Sequence, residues 1–212
     1  MKSAAFPKLE RNIIAILRGL SPDAAVEYGK ALFDAGIEAI EVPLNSPDPF
    51  LSIERLVAAL PKSALLGAGT VLTPAQVDRL HEAGGTLLVS PNIDASVMSR
   101  AAEHRMVTMP GVFTPTEALQ ALALGASALK FFPAIALGAK GISAIKAVLP
   151  ADAIVGAVGG VSEKDFAEYA QVGVKAFGLG SSLFTPSLTV SDVAERAKAA
   201  VAAYDSVFGR QS

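Results

Sequence analysis

A charged side chain inside an apolar run is expensive to bury unless it is used. Lys130 interrupts Ala128-Leu129-Lys130-Phe131-Phe132-Pro133, and Glu41 interrupts Ala39-Ile40-Glu41-Val42-Pro43-Leu44. Arg18 closes Ile13-Ile14-Ala15-Ile16-Leu17. In a strand, successive side chains point to opposite faces. If Leu129 and Phe131 face a helix layer, Lys130 and Phe132 face the other way, and the same parity turns Glu41 with them. Desolvation lowers a lysine's proton affinity and frees its amine to attack a carbonyl. A nearby carboxyl supplies the general acid/base that such chemistry needs. The alternatives are a Lys130 that snorkels to solvent, or a structural ion pair between Lys130 and Glu41. Arg18 reads as a bidentate clamp for a carboxylate or phosphate, or as a rim salt bridge.

The elements that must position these residues recur along the chain. Short apolar runs occupy 13–17, 39–44, 65–71, 87–91, 106–110, 128–133, 154–158 and 176–179, roughly 26 residues apart, each followed by an amphipathic pattern. Ser21-Pro22-Asp23, Thr73-Pro74 and Thr114-Pro115 are helix starts, with a capping residue before a proline. Gly36, Gly84, Gly125 and Gly173 stand where a helix would end. Eight such units predict an α/β fold, a (β/α)₈ TIM barrel forming one domain over residues 1–212. An open sheet would more often carry a G-x-G-x-x-G turn after its first strand, and Leu17-Arg18-Gly19-Leu20-Ser21 does not match it. The short extra segment before Asn12 is expected to form a short helix that closes the barrel floor.

Barrel chemistry sits at the C-terminal strand ends. There lie Thr70, after Gly67-Ala68-Gly69, and Pro91, at the end of the fourth run. Two glycine clusters, Val158-Gly159-Gly160-Val161-Ser162 and Gly178-Leu179-Gly180-Ser181-Ser182, follow the seventh and eighth runs. Those loops are the recurrent phosphate site of such barrels. His81 and His104 fall at helix C-terminal ends, away from the strand ends, so no transition-metal site is expected.

Composition narrows the function classes. The 212 residues are 51% hydrophobic and 18% charged, with a net charge of −2. The absence of a basic excess argues against nucleic-acid and anionic-membrane partners. Zero cysteines exclude disulfides, thiolate metal sites and cysteine nucleophiles. No run is long enough to span a bilayer and no leader pattern is visible, so a cytoplasmic protein is expected.

Taken together, the motifs Ile-Ala-Ile-Leu-Arg-Gly (14–19), Glu-Val-Pro-Leu-Asn-Ser (41–46), Gly-Ala-Gly-Thr-Val-Leu (67–72), Ser-Pro-Asn (90–92), Leu-Lys-Phe-Phe-Pro (129–133), Val-Gly-Gly-Val (158–161) and Gly-Leu-Gly-Ser (178–181) are familiar. The chain resembles the bacterial 2-keto-3-deoxy-6-phosphogluconate and -phosphogalactonate aldolase family from about Asn12 onward. The resemblance implies a class I aldolase without metal or external cofactor, commonly a homotrimer, that releases pyruvate from a phosphorylated keto acid. It implies that Lys130 forms the Schiff base and Glu41 is the general acid/base. Arg18, Thr70, Pro91 and Phe132 match substrate-binding positions, and Gly159, Gly160, Gly180 and Ser181 match phosphate-holding loops. The phosphogluconate branch has an arginine at the place of Asn45 and a threonine at that of Val158. Both departures resemble the phosphogalactonate branch, which makes Val158 the residue for stereoselectivity. Turnover of the gluconate epimer and a non-catalytic phosphosugar-binding barrel are the alternatives.

Overall fold

The computed structural model describes residues 2–209. Strands and helices alternate along the chain: β1 (Ile13–Ile16), α1 (Pro22–Asp34), β2 (Ala39–Pro43), α2 (Pro49–Ala59), β3 (Leu65–Gly69), α3 (Pro74–Glu82), β4 (Leu87–Val89) and α4 (Ala95–Glu103). Then come β5 (Val107–Met109), β6 (Gly111–Val112), α5 (Pro115–Ala123), β7 (Leu129–Phe131), α6 (Ala134–Lys146), β8 (Val155–Val158), α7 (Phe166–Gln171), β9 (Ala176–Leu179) and α8 (Val190–Phe208).

All pairings are parallel, in the order β5-β4-β3-β2-β1-β9-β8-β7-β6. The two ends of that order, β5 and β6, are consecutive in sequence with only Pro110 between them. β5 is the fifth apolar run, and β6 continues it past Pro110, where proline cannot donate to a ladder. The Pro110 carbonyl still accepts the Lys130 amide at 3.0 Å, so the sheet closes on itself as the expected barrel.

Alternation produces two cores. Ile13, Ala15, Ile40, Val42, Leu66, Ala68, Leu129, Phe131, Val155, Ala157 and Phe177 face outward and pack under the helices. Ile14, Ile16, Ala39, Leu65, Leu87, Val89, Val107, Met109, Val158 and Ala176 fill the barrel interior. The helix starts follow the expected chemistry. Thr73 with Gln76 and Thr114 with Glu117 form reciprocal capping boxes. Ser21 precedes α1 in the extended conformation, but its side chain makes no cap bond.

The barrel floor departs from expectation. Residues 2–12 form no helix. Pro7 interrupts the segment, and its backbone bonds go to the floor instead. Ser3 and Ala4 donate to the carbonyls of Gly125 and Met106, at 3.3 and 3.0 Å. Leu9 and Phe6 join the interior cluster, so the segment closes the barrel as an irregular plug.

Candidate active site

Lys130 is inward because its neighbours are not. Leu129 and Phe131 are fully buried beneath the helices, which leaves Lys130 in the barrel at 6% exposure. Its lateral partners in the sheet are Gly111 and Gly156, neither of which has a side chain to obstruct the lysine stem. Its Nζ lies 4.7 Å from the centroid of the Phe132 ring. Glu41 is turned inward in the same way between Ile40 and Val42 and is 2% exposed.

The two groups perturb each other without touching. No ion pair joins Glu41 to Lys130 among the described residues. Burial pushes the Glu41 carboxyl up to about 7, although Lys130 and Arg18 both favour its charged form. Burial lowers the lysine's proton affinity below the ordinary range, and the Arg18 charge adds to this, while Glu41 opposes it. A carboxyl poised near neutrality and a partly desolvated amine are the pair that proton transfer and carbonyl addition require. Glu41 Oε2 and Ser52 Oγ are buried without a hydrogen-bond partner among the described residues. Of the two residues, only Glu41 lines the cleft at the C-terminal strand ends.

That cleft has a volume of about 670 Å³. It is lined by Arg18, Glu41, Lys130, Phe132, Val158, Gly159, Gly160, Gly180 and Ser181, all singled out by the sequence. Ile16, Val161, Ser162, Gly178 and Ser182 complete it. Ile16 carries no polar signal, whereas Ser162 and Ser182 extend the two glycine clusters. Thr70 and Pro91 follow β3 and β4 but are not among the lining residues. Thr70 takes a left-handed backbone, with φ of 57°.

Arg18 is exposed at the rim, where its Nη1 donates to Asn45 Oδ1. Asn45 therefore holds the guanidinium that the sequence reading proposed as a clamp. Two loops face it. Gly159 and Gly160 have φ of 92° and 75°, which side-chain-bearing residues rarely adopt. The Gly180 carbonyl accepts the amides of Leu183 and Phe184, at 2.9 and 2.8 Å, and starts a tight turn. From behind, Arg196 Nη1 donates to the carbonyls of Ser181 and Ser182, at 3.4 and 3.3 Å. The arrangement suits an anion. Sequence reasoning missed Arg196, because nothing in the α8 pattern marks it.

No group of three or more His, Asp or Glu side chains converges on a metal-sized space among the described residues. His81 and His104 stack at 4.1 Å on the helix layer, and His104 Nε2 lies 2.8 Å from Asp78 Oδ1.

Known proteins are similar to this chain over its whole length. The chain is 58% identical to a probable 2-dehydro-3-deoxy-6-phosphogalactonate aldolase of Rhizobium meliloti, over all of both chains. It is 48% identical to the 2-dehydro-3-deoxy-6-phosphogalactonate aldolase of Escherichia coli, over 91% of this chain and 94% of that one. A solved structure described as native KDPGal superposes with a TM-score of 0.92 at 46% identity, covering 96% of this chain and 98% of its own. The family model for KDPG and KHG aldolases matches residues 8–199, and with that span and these identities the chain belongs to the KDPG and KHG aldolase family.

Proposed function

We propose that this protein is a class I aldolase that cleaves 2-keto-3-deoxy-6-phosphogalactonate to pyruvate and glyceraldehyde 3-phosphate. One observation carries the reading. An inward lysine of lowered proton affinity and an inward carboxyl poised near 7 share a cleft with two anion-suited loops. The named relatives supply the substrate class.

The Lys130 amine adds to the C2 carbonyl to give a carbinolamine. Protonated Glu41 gives its proton to the departing hydroxyl, and water leaves as the protonated imine forms. Glu41, now a carboxylate, takes the proton of the C4 hydroxyl. The C3–C4 bond breaks, its electrons pass into the imine, and glyceraldehyde 3-phosphate departs. The resulting enamine takes the proton back from Glu41 at C3. Water then adds to the protonated imine, Glu41 takes up the proton that is released, and pyruvate and the free amine of Lys130 are set free. The iminium is the electron sink, so this route calls on no external cofactor or metal.

The loops at Gly159–Gly160 and Gly180–Ser182 hold the phosphate, and Arg18 holds the carboxylate. Val158 offers no hydrogen bond to a C4 hydroxyl and builds no clash against either epimer, so the gluconate epimer is a slower substrate. Family likeness extends the reading to a cytoplasmic homotrimer in galactonate catabolism.

The test is borohydride reduction in the presence of pyruvate, followed by peptide mapping. The adduct is expected on Lys130. An adduct on Lys140 or Lys146 instead would overturn the assignment.

A further inference from the structure

Gly69 ends β3 beside Glu41, and its backbone gives no reason for a glycine. It pairs with Pro43 in register, and its carbonyl accepts the Leu44 amide at 2.8 Å. It is not among the glycines of positive φ. The reason lies on the neighbouring strand, β2. A Cβ built at position 69 would overlap Glu41 Oε2 and Cδ and lie 2.7 Å from Oε1. All three nearest atoms belong to that one carboxyl group.

The other glycine of this strand has a different job. A Cβ at Gly67 would overlap the carbonyl oxygen of Leu87, whose carbonyl carbon would be 2.6 Å away. There the obstacle is the backbone of β4, and glycine serves barrel closure. At Gly69 the obstacle is the tip of a side chain that can rotate away. Alanine at 69 would therefore move the carboxyl and spare the barrel.

We infer that Gly69 is a positioning residue for Glu41: the space left by its missing side chain is the seat that holds the carboxyl against β3, out of water. The proposal rests on Glu41 being the proton carrier of the proposed reaction. The charged groups facing the carboxyl are Lys130 on β7 and Arg18 after β1, and β3 contributes none. A Cβ at 69 would push the carboxyl into the cleft, toward water. Lost desolvation lowers its proton affinity toward that of an ordinary carboxylate, and its match to neutral-pH proton transfer is lost.

Gly69→Ala in the full chain tests this. The variant is expected to stay folded, with kcat lowered about 10²-fold by an ångström-scale misplacement. KM should change far less. The carboxyl carbon signal of Glu41, assigned by its absence from Glu41→Gln, should titrate well below its wild-type midpoint near 7. Glu41→Asp shortens the acid and makes room for the methyl. The double variant should therefore lose less kcat and less thermal stability than the product of the two single changes. If Gly69→Ala alone does not fold, a folded double variant supports the seat and an unfolded one overturns it. Unchanged kcat and titration in Gly69→Ala, beside an inactive Glu41→Gln, would overturn the seat alone. An active Glu41→Gln would overturn the reading of Glu41 as proton carrier, and the titration would still judge the seat.

Discussion

The barrel carries a cleft at each end, and the two are close in size. The upper one, at the C-terminal strand ends, measures about 670 Å³. The lower one, between the N-terminal plug and the floor, measures about 600 Å³ and is lined by Lys2, Phe6, Ser127, Asp152 and Ile154 among others. Below, polar groups satisfy one another. Ser127 Oγ donates to the Ala4 carbonyl at 2.6 Å, and Thr108 Oγ1 donates to Ser3 Oγ at 2.8 Å. Above, the balance is left unfinished: among the described residues Glu41 Oε2 has no hydrogen-bond partner, and Lys130 is desolvated without an ion pair. Space alone does not mark a site. Unfinished electrostatics that a substrate could complete does.

Substitutions at the two ends should separate accordingly. The largest effect belongs to Lys130→Ala, which should abolish cleavage and borohydride trapping while leaving the circular dichroism spectrum intact. Retained trapping would place the imine elsewhere.

Glu41→Gln should lower kcat by about 10²–10⁴, the usual worth of a general acid/base. It should also change the pH dependence of stability. The folded carboxyl titrates near 7 and the unfolded one near 4.5, so between those values only the folded state holds the proton. Rising pH therefore weakens the wild-type fold across that window. The melting temperature of the Gln variant should gain on wild type from about pH 4.5 to 7 and hold its lead above. A constant difference would mean that Glu41 is not desolvated.

At the loops, Gly160→Val should raise KM for phosphorylated substrate about 10- to 100-fold, the loss of one or two charge-assisted hydrogen bonds. Position 160 has a left-handed φ, and a Cβ there would meet Ile135 at 2.7 Å. Gly180→Ala should be far milder, because no atom lies within 4 Å of its Cβ. Equal loss on unphosphorylated analogues would make the Gly160 loop architectural.

Val158→Thr should shift the kcat/KM ratio toward the gluconate epimer by about 1–3 kcal/mol, the cost of leaving one buried partner unpaired. A wild type that already prefers that epimer would reverse the stereochemical reading. At the other end, Leu9→Ala should cost about 2–5 kcal/mol of stability as a core cavity. Activity per folded molecule should not change. A fall in kcat would mean that the floor communicates with the site.

Much of this was legible in the sequence, for a local reason. Strand and helix periods are written in consecutive residues, so Leu129 and Phe131 reveal that Lys130 faces inward, and Ile40 and Val42 do the same for Glu41. The helix starts at Thr73-Pro74 and Thr114-Pro115 and the glycine stops need only a few neighbouring residues to be read. What remained hidden depends on residues far apart in the chain. Nothing in the run Gly67-Ala68-Gly69 shows that the Glu41 carboxyl fills the place of a side chain at 69. Asn45 meets Arg18, and Arg196 meets the Ser181 loop, through contacts that no spacing encodes. Thr70 and Pro91 follow the ends of β3 and β4 and are not among the residues that line the cleft, because where a side chain after a strand projects depends on the loops around it. The segment before Asn12, surplus to the eight units, was expected to close the floor as a short helix, and it forms none. Only the barrel floor could show that the segment's amides bond to Gly125 and Met106 instead. The values that poise Glu41 and Lys130 are tertiary too, since desolvation belongs to the surroundings and not to the residue.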